Sequence, residues 1–284
     1  MRIVATLLPV LICLAGAARA EEEDTQVDVA LVLVGDVSRS IDDSEFRLQK
    51  AGYAAAFASD AVVAAIQNGP HGAIAVAYVE FASDTEVRTV LDFAVVRDAA
   101  SAKALADRIA AEPRSFSGRT AIGAGILEAE HDLAASPFHD ARQVIDVCGD
   151  GTNNSGPDVT TVRDAAVAAG IVVNGLTIIN DHPVSYMHAH TQPLGGLTDY
   201  YRQHVTGGPG SFVLEVHDFA GFGRAMTRKL VDEIALRRGG HLSHTFAQVD
   251  DGFGRSSNPE TASTKRSASP IAHRALSSDT GPAR

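Results

Sequence analysis

The chain has 284 residues, 45% of them hydrophobic, with 35 Asp and Glu against 24 Lys and Arg and a net charge of −11. That length holds one large domain or two small ones, with room for a substantial core. The acidic balance excludes nucleic acid and anionic membrane surfaces as partners and favours metal cations.

Residues 1–20 read as a signal peptide. Arg2 opens the chain, Ile3 to Ala17 is almost wholly apolar, and Ala18-Arg19-Ala20 fits a small-residue cleavage site before Glu21. The apolar run is short for a membrane span. No later segment is long and apolar enough to span a bilayer, so the mature chain is expected to be exported, to the periplasm or the medium. Cys148 is then the one remaining thiol. It excludes an internal disulfide and reads as a small buried hydrophobe.

The first element is the apolar, β-branched run Val29 to Val34, a strand buried on both faces. It ends at Gly35 and is followed by Asp36-Val37-Ser38-Arg39-Ser40. Asp43 or Ser44 can cap the next helix, which places Phe46, Tyr53 and Phe57 on one face and runs to about Ile66. Asn68-Gly69-Pro70 stops it. Gly72 to Phe81 reads as a second strand and Val87 to Leu91 as a third. Their connection is too short for a crossover helix, so the pair is antiparallel.

Asp98 to Ala111 is helical up to Pro113, and Ser115 to Thr120 is a polar turn. Ile122, Ile126, Ala129 and Leu133 mark the buried face of another helix. Gln143 to Cys148 is a strand running into Gly149-Asp150-Gly151. Val159 to Ala169 is helical with Gly170 at its C-terminal end, and Ile171 to Ile179 is a further strand. Residues 180–210 form a long insertion with His182, His188, His190 and His204, and with Tyr200-Tyr201 on a short helix. A last strand, Phe212 to Val216, leads to a helix capped by Asp218. Residues 248–284 are poor in apolar side chains and are expected to be disordered. Strands alternating with helices over 25–240 predict one α/β domain, doubly wound, with a mostly parallel sheet, one antiparallel edge strand and helices on both faces.

Three loops at the sheet edge carry oxygen side chains. They supply Asp36, Ser38 and Ser40, then Thr120 at the head of a helix, then Asp150 at the end of a strand. Two carboxylates and three hydroxyls make the hard oxygen shell that Mg²⁺, or Mn²⁺, prefers. Asp36 and the serines alone would serve as a local turn that caps a helix. That role has no use for Thr120 and Asp150.

Asp36-Val37-Ser38-Arg39-Ser40, Ser117-Gly118-Arg119-Thr120 and Asp150-Gly151 together resemble the von Willebrand factor type A domain with its metal-ion-dependent adhesion site. Gly149-Asp150-Gly151-Thr152-Asn153-Asn154 and the Gly-Gly-Pro-Gly run at 207–210 are similar to a bacterial exported branch of unknown function. The resemblance implies a Rossmann-like fold over 25–240. It implies that Ser38 and Ser40 bind the cation directly, Asp36 acts mostly through water, and Thr120 and Asp150 alternate between the two modes. It also implies a non-enzymatic module whose sixth metal position takes an Asp or Glu carboxylate from a protein partner. Gly149 departs from the family pattern, in which Thr often precedes the Asp.

A serine hydrolase built on Ser38 is the alternative. The chain has no Gly-x-Ser-x-Gly elbow and no late Asp-x-x-His to support it. An aspartyl phosphotransferase would want a second acid where Ser38 stands. His188 and His190 lack the cysteines or the His-Glu-x-x-His spacing of a zinc site.

Overall fold

The computed structural model describes residues 26–179 and 193–235, which belong to the first of the chain's two units, Met1–Leu242. The leader at 1–20, His182, His188 and His190 of the insertion, and the tail at 248–284 lie outside the described residues.

Six strands form one sheet in the order β3-β2-β1-β4-β5-β6. They are β1 (Val29–Asp36), β2 (Ile74–Phe81), β3 (Val87–Val96), β4 (Arg142–Gly149), β5 (Val172–Ile178) and β6 (Val213–Val216). Only β2 and β3 pair antiparallel, and the other pairs are parallel. Every residue of β1 is buried. Alternate residues feed two cores, as the pleat requires. Leu31 and Leu33 join one, with Tyr53, Tyr78, Phe222 and Leu230. Ala30, Val32 and Val34 join the other, with Ile122, Ile126, Val162 and Tyr201.

The first core lies under α1 (Asp43–Phe57), α2 (Asp60–Gln67), α3 (Ala99–Ala111) and α7 (Phe222–Ala235). The second lies under α4 (Ile122–Ala135), α5 (Val159–Ala168) and α6 (Leu197–Tyr200), with the π-helical turn Tyr201–Val205. Chain order reverses at β1, whose neighbours are β2 and β4. That reversal is the switch point at which open α/β sheets place their sites.

The helix expected to run to Ile66 is two helices. Ala58-Ser59 breaks it, and Ser59 Oγ accepts from Val62 N at 3.3 Å to start α2. The apolar pattern continues through the break, so periodicity alone does not reveal it. The cap of α1 is Asp42, in place of Asp43 or Ser44. Its carboxylate accepts from Ser44 N at 2.7 Å and Glu45 N at 2.9 Å, and Glu45 answers on Asp42 N at 2.7 Å, a reciprocal capping box. The third strand runs on past Leu91 to Val96, lengthened by irregular pairing with β2. Gly170, at φ 90°, follows α5 as expected. Asp218 accepts from Gly221 N at 2.5 Å just ahead of α7.

An internal ion cluster fixes α7 to the sheet. Lys229 Nζ lies 2.7 Å from Asp146 Oδ1 of β4 and bonds Glu233 one turn on. Asn174 Nδ2 of β5 donates to Glu233 Oε1 at 2.7 Å. All four residues are buried. Burial, then the charge of Asp146, pushes Glu233 up to about 7. Two acids thus share one lysine, and removing the cation leaves them uncompensated. Lys229→Met is expected to cost about 3–5 kcal/mol in urea unfolding. A loss below about 1 kcal/mol would show that the cluster does not hold the helix.

Candidate metal centre

Asp36 closes β1, and Asp150 directly follows β4. The two strands run side by side with Gly35 opposite Cys148, so both carboxylates emerge at one edge. Asp36 Oδ1 accepts from Ser38 N at 2.7 Å, which turns the chain sharply after β1. Val37 N donates to Phe81 O at 2.9 Å and ties that turn to the end of β2. Ser38 Oγ lies 3.0 Å from Ser40 Oγ, and Ser40 Oγ donates to Asp150 Oδ1 at 2.6 Å. Four of the five expected residues therefore form one connected group.

Thr120 reaches the same edge through the loops around it. Gly118 O accepts from Arg39 N at 3.0 Å, and Ala82 O accepts from Ala121 N at 2.7 Å. Thr120 N donates to Asn154 Oδ1 at 3.0 Å, while Thr120 O accepts from Asn154 N at 2.8 Å. Asn153 takes the next turn, with Oδ1 accepting from Gly123 N at 3.1 Å. The Asn153-Asn154 pair was visible as a motif, but its task of fixing the Thr120 turn was not. Arg114 was missed altogether. Its guanidinium donates to Val37 O at 2.7 Å, Ser38 O at 2.6 Å and Phe116 O at 2.9 Å, and clamps the first loop to the second.

The electrostatics are those of a site built for positive charge. Asp36 is 0% exposed and Asp150 1%. Burial pushes Asp36 up to about 6, with Ser38 and then Arg114 pulling it back. Burial and then the negative charge of Asp36 push Asp150 up to about 8. Oδ2 of each carboxylate is buried and has no hydrogen-bond partner. Two adjacent buried acids, each with a free oxygen, fit a hard cation and fit little else. No group of three or more His, Cys, Asp or Glu gathers among the described residues, so hydroxyls must complete any shell here.

His204 is the one histidine of the insertion that is described. It packs against the Tyr200 ring with centroids 4.9 Å apart, and its Nδ1 lies 3.2 Å from Thr160 Oγ1. No histidine among the described residues bonds Ser38, whose hydroxyl meets Ser40. Gly149 is explained by what surrounds it. A Cβ there would lie 2.7 Å from Tyr201 Oη and 3.0 Å from Asp36 Oδ2. No helix among the described residues is long and apolar enough to cross a membrane.

A family described as "Protein of unknown function (DUF1194)" matches residues 26–238. No curated protein sequence matches the chain. Among solved structures, the chain is similar to a von Willebrand factor type A protein from Catenulispora acidiphila, at 15% identity and TM-score 0.50. The match covers 74% of this chain and 42% of that one. It is similar to the open conformation of the pilus adhesin SpaC from Lactobacillus rhamnosus GG, at 15% identity and TM-score 0.52, over 74% of this chain and 30% of that one. It is also similar to proximal thread matrix protein 1 from the mussel byssus, at 16% identity and TM-score 0.50, over 75% and 47%. The chain thus spans less than half the length of each. At these identities the likeness shows the fold, which is that of the von Willebrand factor type A domain.

The pH dependence of stability follows from the two carboxyls. Each binds its proton more tightly folded than unfolded, so stability is highest below about pH 4 for these groups and is lost as pH rises towards about 8. In EDTA, the melting temperature is expected to fall between pH 5 and pH 8. Asp150→Asn should remove much of that slope. A melting temperature that climbs across the interval, with or without the substitution, contradicts the assignment.

Proposed function

The chain belongs to the DUF1194 family of proteins of unknown function, and we propose that it is an exported protein-binding module that works through a divalent cation. The observation that carries this reading is the pair of buried carboxylates, Asp36 and Asp150, each with an unpartnered oxygen at the switch point of the sheet. Ser38, Ser40 and Thr120 complete the donor set, a metal-ion-dependent adhesion site for Mg²⁺ or Mn²⁺.

When bound, the cation supplies a local positive charge and an open coordination position. Asp36 and Asp150 neutralise part of that charge and lose their raised proton affinity in doing so. Ser38 and Ser40 offer hydroxyl oxygens from a turn held by Arg114. Thr120 is held by Asn154 at the head of α4. The remaining position suits an Asp or Glu carboxylate on a protein partner. In an acidic chain this local reversal of field is what lets an acidic group approach. The shared fold with a pilus adhesin supports binding over catalysis, and so does the Ser38 hydroxyl, which meets Ser40 and no histidine among the described residues. Residues 1–20 fit the same reading as an export signal.

Titration with Mn²⁺ tests the centre. One ion is expected to bind the wild type. Asp36→Ala should lose binding about tenfold while keeping its circular dichroism spectrum, since both cores are built from apolar side chains that pack without the ion. Equal binding by both proteins removes the site as drawn. Metal-dependent turnover of an ester, peptide or phosphate that disappears in Ser38→Ala would replace the binding module with a hydrolase.

A further inference from the structure

We propose that Lys229 Nζ and Asp146 Cγ join as an amide, with Glu233 relaying the protons, so that α7 is fastened to β4 by a covalent bond between ordinary side chains.

The groups already stand in contact. Lys229 Nζ lies 2.7 Å from Asp146 Oδ1 and also bonds Glu233 Oε1. Lys229 and Asp146 are 0% exposed and Glu233 is 1% exposed. The Phe212 ring walls the amine, its centroid 5.0 Å from Nζ. Asn174 fixes the second acid. Its Nδ2 donates to Glu233 Oε1 at 2.7 Å, while its Oδ1 accepts from Phe212 N at 3.0 Å. An amine, a carboxyl carbon and a proton carrier are thus held together away from solvent.

Lys50 and Glu80 provide an internal comparison. They form a second buried pair, at 3.2 Å, and there the carboxylate is fully used. Glu80 Oε1 accepts from Lys50 Nζ and, at 3.1 Å, from Tyr78 Oη, and Oε2 accepts from Ser115 N at 2.9 Å. Asp146 differs. Its contact with the lysine is shorter, yet neither of its oxygens accepts a hydrogen bond of ordinary geometry. A dry ion pair repays its burial only when hydrogen bonds satisfy the remaining lone pairs. Glu80 meets that condition and Asp146 does not. An amide at Asp146 removes two buried charges and one of the two unmet oxygens.

The step balances without an oxidant or a co-reactant. Burial works against the Lys229 ammonium, but the charges of Asp146 and then Glu233 outweigh it, so the amine is freed inside the cluster. Nζ first gives a proton to Asp146, which leaves a neutral amine beside a neutral acid. The Nζ lone pair then attacks Cγ and forms the C–N bond. Nζ releases a second proton to Glu233, and Glu233 passes it to the departing hydroxyl of Asp146. The C–O bond breaks, one water leaves, and Glu233 ends as it began. Burial, then the charge of Asp146, pushes Glu233 up to about 7, which suits a group that takes and returns a proton. Contact between the reacting groups supplies an effective concentration on the order of 10⁵–10⁸ M. The bond constrains the unfolded chain as a disulfide would, and among the described residues Cys148 is the one free thiol.

Mass spectrometry of the full chain tests this. The folded wild type is expected to be one water lighter than its sequence. Trypsin should release a branched fragment, residues 143–163 joined to residues 229–237, because cleavage after Lys229 is blocked. Asp146→Ala leaves one acid for the lysine and should keep its full mass. Glu233→Gln still accepts from Asn174 and should form the bond about 10²-fold more slowly. A wild type that keeps its full mass after prolonged incubation in the folded state overturns the bond and leaves an ion cluster. A lost water with the two fragments unjoined places the dehydration elsewhere, as in ring closure at Asp150-Gly151, and overturns it too. Bond formation at the wild-type rate in Glu233→Gln overturns the relay.

Discussion

Negative charge held at the edge of the sheet is the constraint around which this domain is organised. Among the described residues five acids are fully or almost fully buried, namely Asp36, Glu80, Asp146, Asp150 and Glu233. Three of them have a lysine. Glu80 meets Lys50 at 3.2 Å, and Asp146 and Glu233 share Lys229. Asp36 and Asp150 form no ion pair among the described residues, and both have raised proton affinity. Each interior acid thus has a lysine beside it and the two at the edge have none.

The loops around that edge are arranged to keep it so. Arg114 spends its donors on the carbonyls of Val37, Ser38 and Phe116, and not on a carboxylate at the centre. Glu80 bridges Lys50 and the backbone of Ser115 at 2.9 Å, which draws the second loop towards the first. Asn154 and Thr120 exchange backbone and side-chain bonds. None of these residues needs to touch a cation in order to set where the donors stand.

The candidate residues stand out in the sequence because each follows a local signal. Asp36, Ser38 and Ser40 follow a strand whose β-branched run is unmistakable, and Asp150 follows another. The alternation of strands and helices indicated the sheet and its antiparallel edge. What stayed hidden depends on distance in space. The break at Ala58-Ser59 sits inside a continuous apolar pattern, and the extension of β3 to Val96 comes from pairing with β2. Arg114 and Tyr201 look like an ordinary charge and an ordinary aromatic. Only the fold brings the first to the loop carbonyls and the second to Gly149. The unusual glycine was the one readable trace of Tyr201, and it could not name its neighbour.

The lysine cluster also has a mechanical consequence. Lys229 couples the middle of α7 to Asp146 of β4, four residues before Asp150. Close by, α1 and α7 cross at Gly52 and Gly223, where a Cβ on Gly52 would stand only 3.1 Å from Gly223 N. Sliding α7 along the sheet would pull the buried Lys229 off Asp146 and drive backbone into backbone. That layer is a rigid keel.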